Sequence, residues 1–187
     1  MFFRKSRLST KKVFSCSTFR QGLFQRSSIL LKRIHEGDVV SVRQYELYLI
    51  VDEVARQYFG QESKLFHLFL EKEHATKVNE ALIKKQIQYI TEAIPTLHLQ
   101  HVLHHLQPAG FTVEKTKTTF RLYASRSESQ AELFIQQDRL LLTSEGTIDA
   151  ETTLFEALRK VRGAFFAIDV QRMRYGWLNP VRQVKLV

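Results

Sequence analysis

QYELYLIV, residues 44–51, places Tyr45, Leu47, Leu49 and Val51 on one face of an extended chain, with Tyr48 and Ile50 on the other. That two-residue period is the signature of a strand buried on at least one side. Asp52 follows at once and is placed to cap a helix, with Glu53 favourable beside the positive end of its dipole. Val54, Tyr58, Leu65, Phe66 and Phe69 then mark apolar points along residues 52–73, and Gly60 predicts a kink or break among them. Thr76 is placed to cap the next helix, along which Ile83, Ile87, Ile90 and Ile94 repeat at intervals of four, three and four. Such spacing predicts one buried stripe. Pro95 resets the chain before a shorter helix over 96–107.

The second half changes period. TTFRLYAS (118–125), AELFIQQ (131–137) and RLLLTSE (139–145) read as strands, with a tight reversal at Asp138 and Arg139 and a further strand within 111–117. Residues 150–162 form a helix on the spacing of Leu154, Leu158 and Val161, and Gly163 suits its end. AFFAIDV (164–170) is a last apolar strand. The tail RYGWLNPV (174–181) holds the only tryptophan between a glycine and a proline and reads as neither helix nor strand. The expectation is an irregular clamp, with Trp177 in the core and Gly176 turning the backbone. This order of elements is α+β: a small, mostly antiparallel sheet packed with several helices in one globular domain over 44–187.

The N-terminal side differs in composition. The chain has 187 residues and a net charge of +9. Residues 1–43 hold ten Lys and Arg against Glu36 and Asp38, a net +8, and the remaining 18 basic and 17 acidic residues leave +1 for the rest. A phosphate-binding body would carry its charge on a presented surface, so the body does not read as a DNA-binding protein. Residues 1–43 read as a basic, disordered extension without the apolar core of a secretory signal. They resemble an organelle transit peptide in composition, and a nucleic-acid or membrane arm is a further reading. The favoured reading is a frame opened too far upstream. Codons for Glu-Gly-Asp in EGDVVSV (36–42) can spell a purine-rich ribosome-binding sequence, and valine codons include an alternative bacterial start. Mass spectrometry of the natural N-terminus decides this, and a peptide from residues 1–30 would refute it. Cys16 is the sole cysteine, so no intrachain disulfide can form and a reducing cytoplasm is the simplest setting. No run of about 18 apolar residues is present to span a membrane.

Catalytic signatures are missing. With seven glycines the chain has no phosphate-binding loop or dinucleotide fingerprint, and it has no Gly-x-Ser-x-Gly elbow. LHLQHVLHHL (97–106) sets His98, His101 and His105 on one helical face, a spacing that permits a zinc or nickel site. No cysteine or carboxylate lies nearby, and Leu97, Leu103 and Leu106 favour an amphipathic helix with a polar histidine face. The chain reads as a non-enzyme with no cofactor and no metal. Among surface candidates, Tyr58 follows Val54 by four residues and suits equally the rim of the core or an interface, where it buries apolar area while its hydroxyl stays paired. Gln86, beside Ile87 of the buried stripe, belongs at the edge of its helix.

Four stretches together, YELYLIVDEVARQYFGQESKLFHLF (45–69), KQIQYITEAIPTLHL (85–99), AETTLFEALRKV (150–161) and RYGWLNPV (174–181), resemble the sporulation inhibitor of replication family, SirA, of endospore-forming bacteria. The likeness covers about 43–187, and family members begin shortly before the first strand, without such an arm. The resemblance implies a cytoplasmic, non-enzymatic inhibitor made at the onset of sporulation. It acts as a monomer or one-to-one complex on the N-terminal domain of the replication initiator DnaA, with no direct contact to nucleic acid or membrane. The family's contact surface uses two aromatics on the first helix, a glutamine on a later helix and a proline in the C-terminal segment. The second aromatic matches Tyr58, the glutamine Gln86 and the proline Pro180. The first falls at Val54, where valine offers less contact area, worth about 1 kcal/mol if fully buried.

Overall fold

The computed structural model describes residues 4–5 and 42–179. Within them one antiparallel sheet contains β1 (Arg4–Lys5), β2 (Arg43–Ile50), β3 (Thr91–Glu92), β4 (Phe111–Lys115), β5 (Thr119–Ala124), β6 (Ser129–Ile135), β7 (Leu140–Gly146), β8 (Phe165–Asp169) and β9 (Arg174–Trp177). The helices are α1 (Asp52–Gln57), α2 (Glu62–Glu73), α3 (Glu80–Ile90), α4 (Thr96–His104) and α5 (Asp149–Val161). The strand order is β1-β9-β8-β2-β7-β6-β5-β4, and β3 pairs with β2. The α+β class expected from the order of elements is what the chain adopts.

The first strand of the globular body is thus central. Tyr45 faces Leu142 of β7, and Tyr48 faces Phe166 of β8. Its two faces meet different helices: Tyr45 packs edge-on against Phe155 of α5 with ring centroids 5.3 Å apart, whereas Tyr48 stacks on Phe69 of α2 at 4.4 Å. A strand covered on both faces has no polar side to show, which is why 47–50 and 165–168 read as unbroken apolar runs and are fully buried. The meander β4–β7 lies beyond α2 and α3. There α5 covers one face, over Phe120, Leu122, Leu133 and Leu142, and the other carries polar pairs such as Arg121–Glu132 at 2.8 Å. The alternation legible in those strands is therefore the alternation of a half-covered sheet.

Several expected boundaries move for local reasons. The helical pattern over 52–73 breaks at Gly60, whose φ of +83° is left-handed. Asp52 lies inside α1: Val51 is the cap position, and no side chain bonds the free N–H groups there. Residues 76–79 form a turn, with the N–H groups of Asn79 and Glu80 donating to the Thr76 carbonyl, so α3 begins at Glu80. Ile83 and Ile87 bury as the stripe requires, but Ile94 is buried from outside the helix, its N–H donating to Gln137 O at 2.9 Å. In α4 the core positions are Leu99 and Leu103; Leu97 is exposed.

The tail is a correction. Arg174–Trp177 is a regular strand, with Trp177 opposite Phe166 and Tyr175 opposite Ile168. Gly176 sits opposite Ala167 and does not turn the backbone; the reversal is made at 170–173, where Met173 takes φ +53° and the buried Asp169 carboxylate accepts from Arg172 N–H at 3.0 Å. Trp177 is buried as expected, edge-on to Phe166 at 4.8 Å, and Tyr175 stacks on Phe66 at 4.6 Å. On the edge of β9, Arg4 pairs with Tyr175 and Lys5 with Arg174. Arg43, counted with the basic extension on charge alone, is the first residue of β2 and is buried against Glu151 of α5.

Candidate functional site

α1 is a short helix fixed at both ends. Its start is tied to the end of α3, since Val51 N–H donates to Ile90 O at 3.0 Å. At its other end Tyr58 N–H donates to Val54 O at 2.9 Å, which keeps the two side chains one turn apart. Both are half-buried and pack on the core, so each offers an apolar flank to solvent from a fixed position. Ala55, between them, is fully buried and anchors the helix.

Gln86 is exposed on the flank of α3, at the edge of the buried stripe where the sequence places it. Two residues that the sequence reading passed over flank it. Leu82 and Tyr89 are 60% and 83% exposed, four residues before and three after Gln86, on one side of the helix. Their signal was in the sequence: apolar residues of α3 off the isoleucine stripe have no core to enter. Large apolar side chains grouped around a polar one form a surface suited to a partner. Pro180 lies outside the described residues. The chain reaches Asn179 at the end of the sheet shared with α1 and α3, where Leu178 N–H donates to Phe165 O and Ile50 N–H donates to Ala164 O.

Titratable chemistry lies elsewhere. Glu46 of β2 accepts a hydrogen bond from the Tyr48 hydroxyl and pairs with Lys72 at 3.3 Å and Arg139 at 3.6 Å. Burial opposes its charge, but the Tyr48 hydrogen bond and the two cations outweigh burial and hold its pKa below the ordinary value. The Tyr48 hydroxyl is pushed up by burial and by Glu46. A second cluster joins Arg43, Glu151, Ser144 and Tyr45, whose hydroxyl is pushed up to about 12, by burial first and then by the Glu151 charge. In both clusters the carboxylate and the tyrosine hydroxyl are held by internal partners, which marks those groups as structural. His98, His101, His104 and His105 are exposed; the His101 and His105 rings meet edge to face at 4.6 Å, and no group of three or more metal-ligating residues forms among the described residues. No described helix is long and apolar enough to cross a membrane.

An antiparallel sheet with helices on both faces of one half, and with apolar side chains exposed on a covering helix, defines a small α+β protein that presents a helical surface. The chain belongs to the family described as sporulation inhibitor of replication protein SirA, whose model matches residues 43–182. It is similar to the sporulation inhibitor of replication protein SirA of Bacillus subtilis (strain 168), with 36% identity over 149 residues, 78% of this chain and 99% of that protein.

Proposed function

We propose that this protein inhibits the initiation of chromosome replication during sporulation, without enzymatic activity, by binding the N-terminal domain of the initiator DnaA in the cytoplasm. What supports this reading is family membership, together with a helical surface carrying half-buried Val54 and Tyr58 on α1 and exposed Gln86 on α3, two helices joined through Val51 and Ile90. The mode of action is steric: the surface covers a face of the initiator needed for self-association or for a helper protein. Tyr58 is the anchor, being aromatic, held by its neighbours and open on one side, the properties of an energetic hot spot. Val54 contributes a smaller apolar contact, Gln86 a polar one, and Leu82 and Tyr89 extend the patch along α3. Pro180 completes the set on the strength of its match to the family pattern.

The test is calorimetric titration of the full chain into the isolated N-terminal domain of the host's DnaA, with Tyr58→Ala alongside. The expected result is saturable one-to-one binding that the variant weakens by about 2 kcal/mol or more. A variant that binds as tightly as the parent chain refutes the surface; a parent chain that does not bind refutes the partner.

A further inference from the structure

Beneath α3 lies a cavity of about 540 Å³ that the partner surface does not use. One wall is apolar, made by Ala75, Ile83 and Ile87; the opposite wall is Tyr48, Lys72 and Arg139. The volume falls within the range of small-molecule sites, and an apolar wall facing a few convergent polar groups is their usual composition.

Charge and hydrogen bonding on the polar wall select the ligand. The Tyr48 oxygen donates its proton to Glu46 and accepts from Lys72 Nζ at 2.9 Å and from Arg139 Nη1 at 3.1 Å, so it is saturated. Behind it Lys72 and Arg139 share the Glu46 carboxylate and Lys72 also lies 3.9 Å from Glu73, so the charges of this wall balance and the cavity's uncommitted cation among the described residues is Lys84. Arg139 spends Nε on Gln136, and its outer nitrogen Nη2 has no hydrogen-bond partner among the described residues. Lys84 and Gln88 also line the cavity, without a hydrogen bond or ion pair among those residues. Glu80 and Asp138 lie at the same cavity and are exposed, as are Lys84 and Gln88, so solvent screens all four more than it screens the partly enclosed Arg139 guanidinium.

We propose that this cavity is a binding site for a small organic carboxylate with an apolar body, the carboxylate taken by Arg139 Nη2 with Lys84 and Gln88, and the body laid on Ile83 and Ile87. The inference does not rest on the partner assigned above. The probe is 2-naphthoate, with the uncharged 2-naphthamide as its matched control, titrated into the labelled full chain and followed by NMR amide shifts. The acid binds one per chain, shifts amides at 75, 83–88 and 139, and binds at least tenfold tighter than the amide; Arg139→Gln brings the acid down to the amide's affinity. Equal affinity of acid and amide, shifts centred away from α3, or no shift at millimolar probe overturns the proposal. The acid–amide comparison on the unaltered chain decides it even where Arg139→Gln fails to fold.

Discussion

Replacing Glu151 by leucine isolates the clasp between the first strand of the globular body and its last helix. Arg43 donates from Nε to Glu151 Oε2 at 2.6 Å, from Nη1 to Gly146 O at 2.9 Å and from Nη2 to Thr147 O at 3.0 Å. Glu151 also accepts from the Ser144 and Tyr45 hydroxyls. The two residues are 7% and 6% exposed, so water cannot replace the carboxylate when it is removed. Breaking one side of a buried pair costs about 3–5 kcal/mol, because the remaining charge is left without compensation. For a domain of this size that lowers the melting temperature by on the order of 10 °C. Exchanging both partners, Arg43→Met with Glu151→Leu, removes the stranded charge and recovers at least half of the loss. Thermal unfolding by circular dichroism, with urea titrations for the free energies, measures all three chains. A single variant within about 1 kcal/mol of the parent, or a double variant no better than the single, refutes the reasoning.

Two glycines with the same backbone sign separate strain from crowding. Gly146 has φ +73°, and an added Cβ would lie 1.3 Å from the Glu128 carbonyl oxygen, so Gly146→Ala costs about 3 kcal/mol or more in urea unfolding. Gly60 has φ +83° with nothing within 4 Å of such an atom, so Gly60→Ala costs only about 1–2 kcal/mol, the backbone term alone. Glu46 has its folded pKa below the ordinary value of 4.5, so its contribution is present above that pH and is lost as pH falls through the folded value. Glu46→Gln therefore unfolds with a shallower loss of stability between pH 5 and 3 than the parent, measured by urea midpoints. Leu82→Ser and Tyr89→Ser leave stability within about 0.5 kcal/mol, since neither enters the core, while weakening binding to the initiator domain in calorimetry.

The sequence made some of this legible and hid the rest for identifiable reasons. β2, the meander and α5 were readable because burial on one or both faces writes itself into side-chain period. The break at Gly60 was readable because the chain there needs a left-handed residue. β9 was hidden: four residues, RYGW, carry too little period to show a strand, and what makes them one is the long-range edge of β8. β3 was hidden for the same reason, being two residues that continue the edge of β2 where β7 stops at Leu47. The starts of α1 and α3 moved because Asp52 and Thr76 were assigned caps from residue type alone, whereas backbone turns close those ends. Of the candidate surface, spacing and the family pattern put Tyr58 forward, and the family pattern put Gln86 forward. Leu82 and Tyr89 lie visibly off the isoleucine stripe, but that neither α2 nor the sheet covers them there is decided by the packing alone.

The central place of β2 also bears on how the protein is made. A ribosome delivers this strand before any other of the globular body, yet its hydrogen-bonding neighbours Leu140–Ser144 and Phe165–Ile168 emerge only when most of the chain has been synthesised. Until then a strand apolar on both faces has no edge to join, and contacts so distant in sequence form slowly once they can form. Nascent chains therefore carry an unpaired apolar strand through most of translation. A message cut short before β8 yields a chain whose core strand can pair on one side only. In a cell committing to a spore, the protein's function then appears only with completion of the polypeptide, as a single step rather than by degrees.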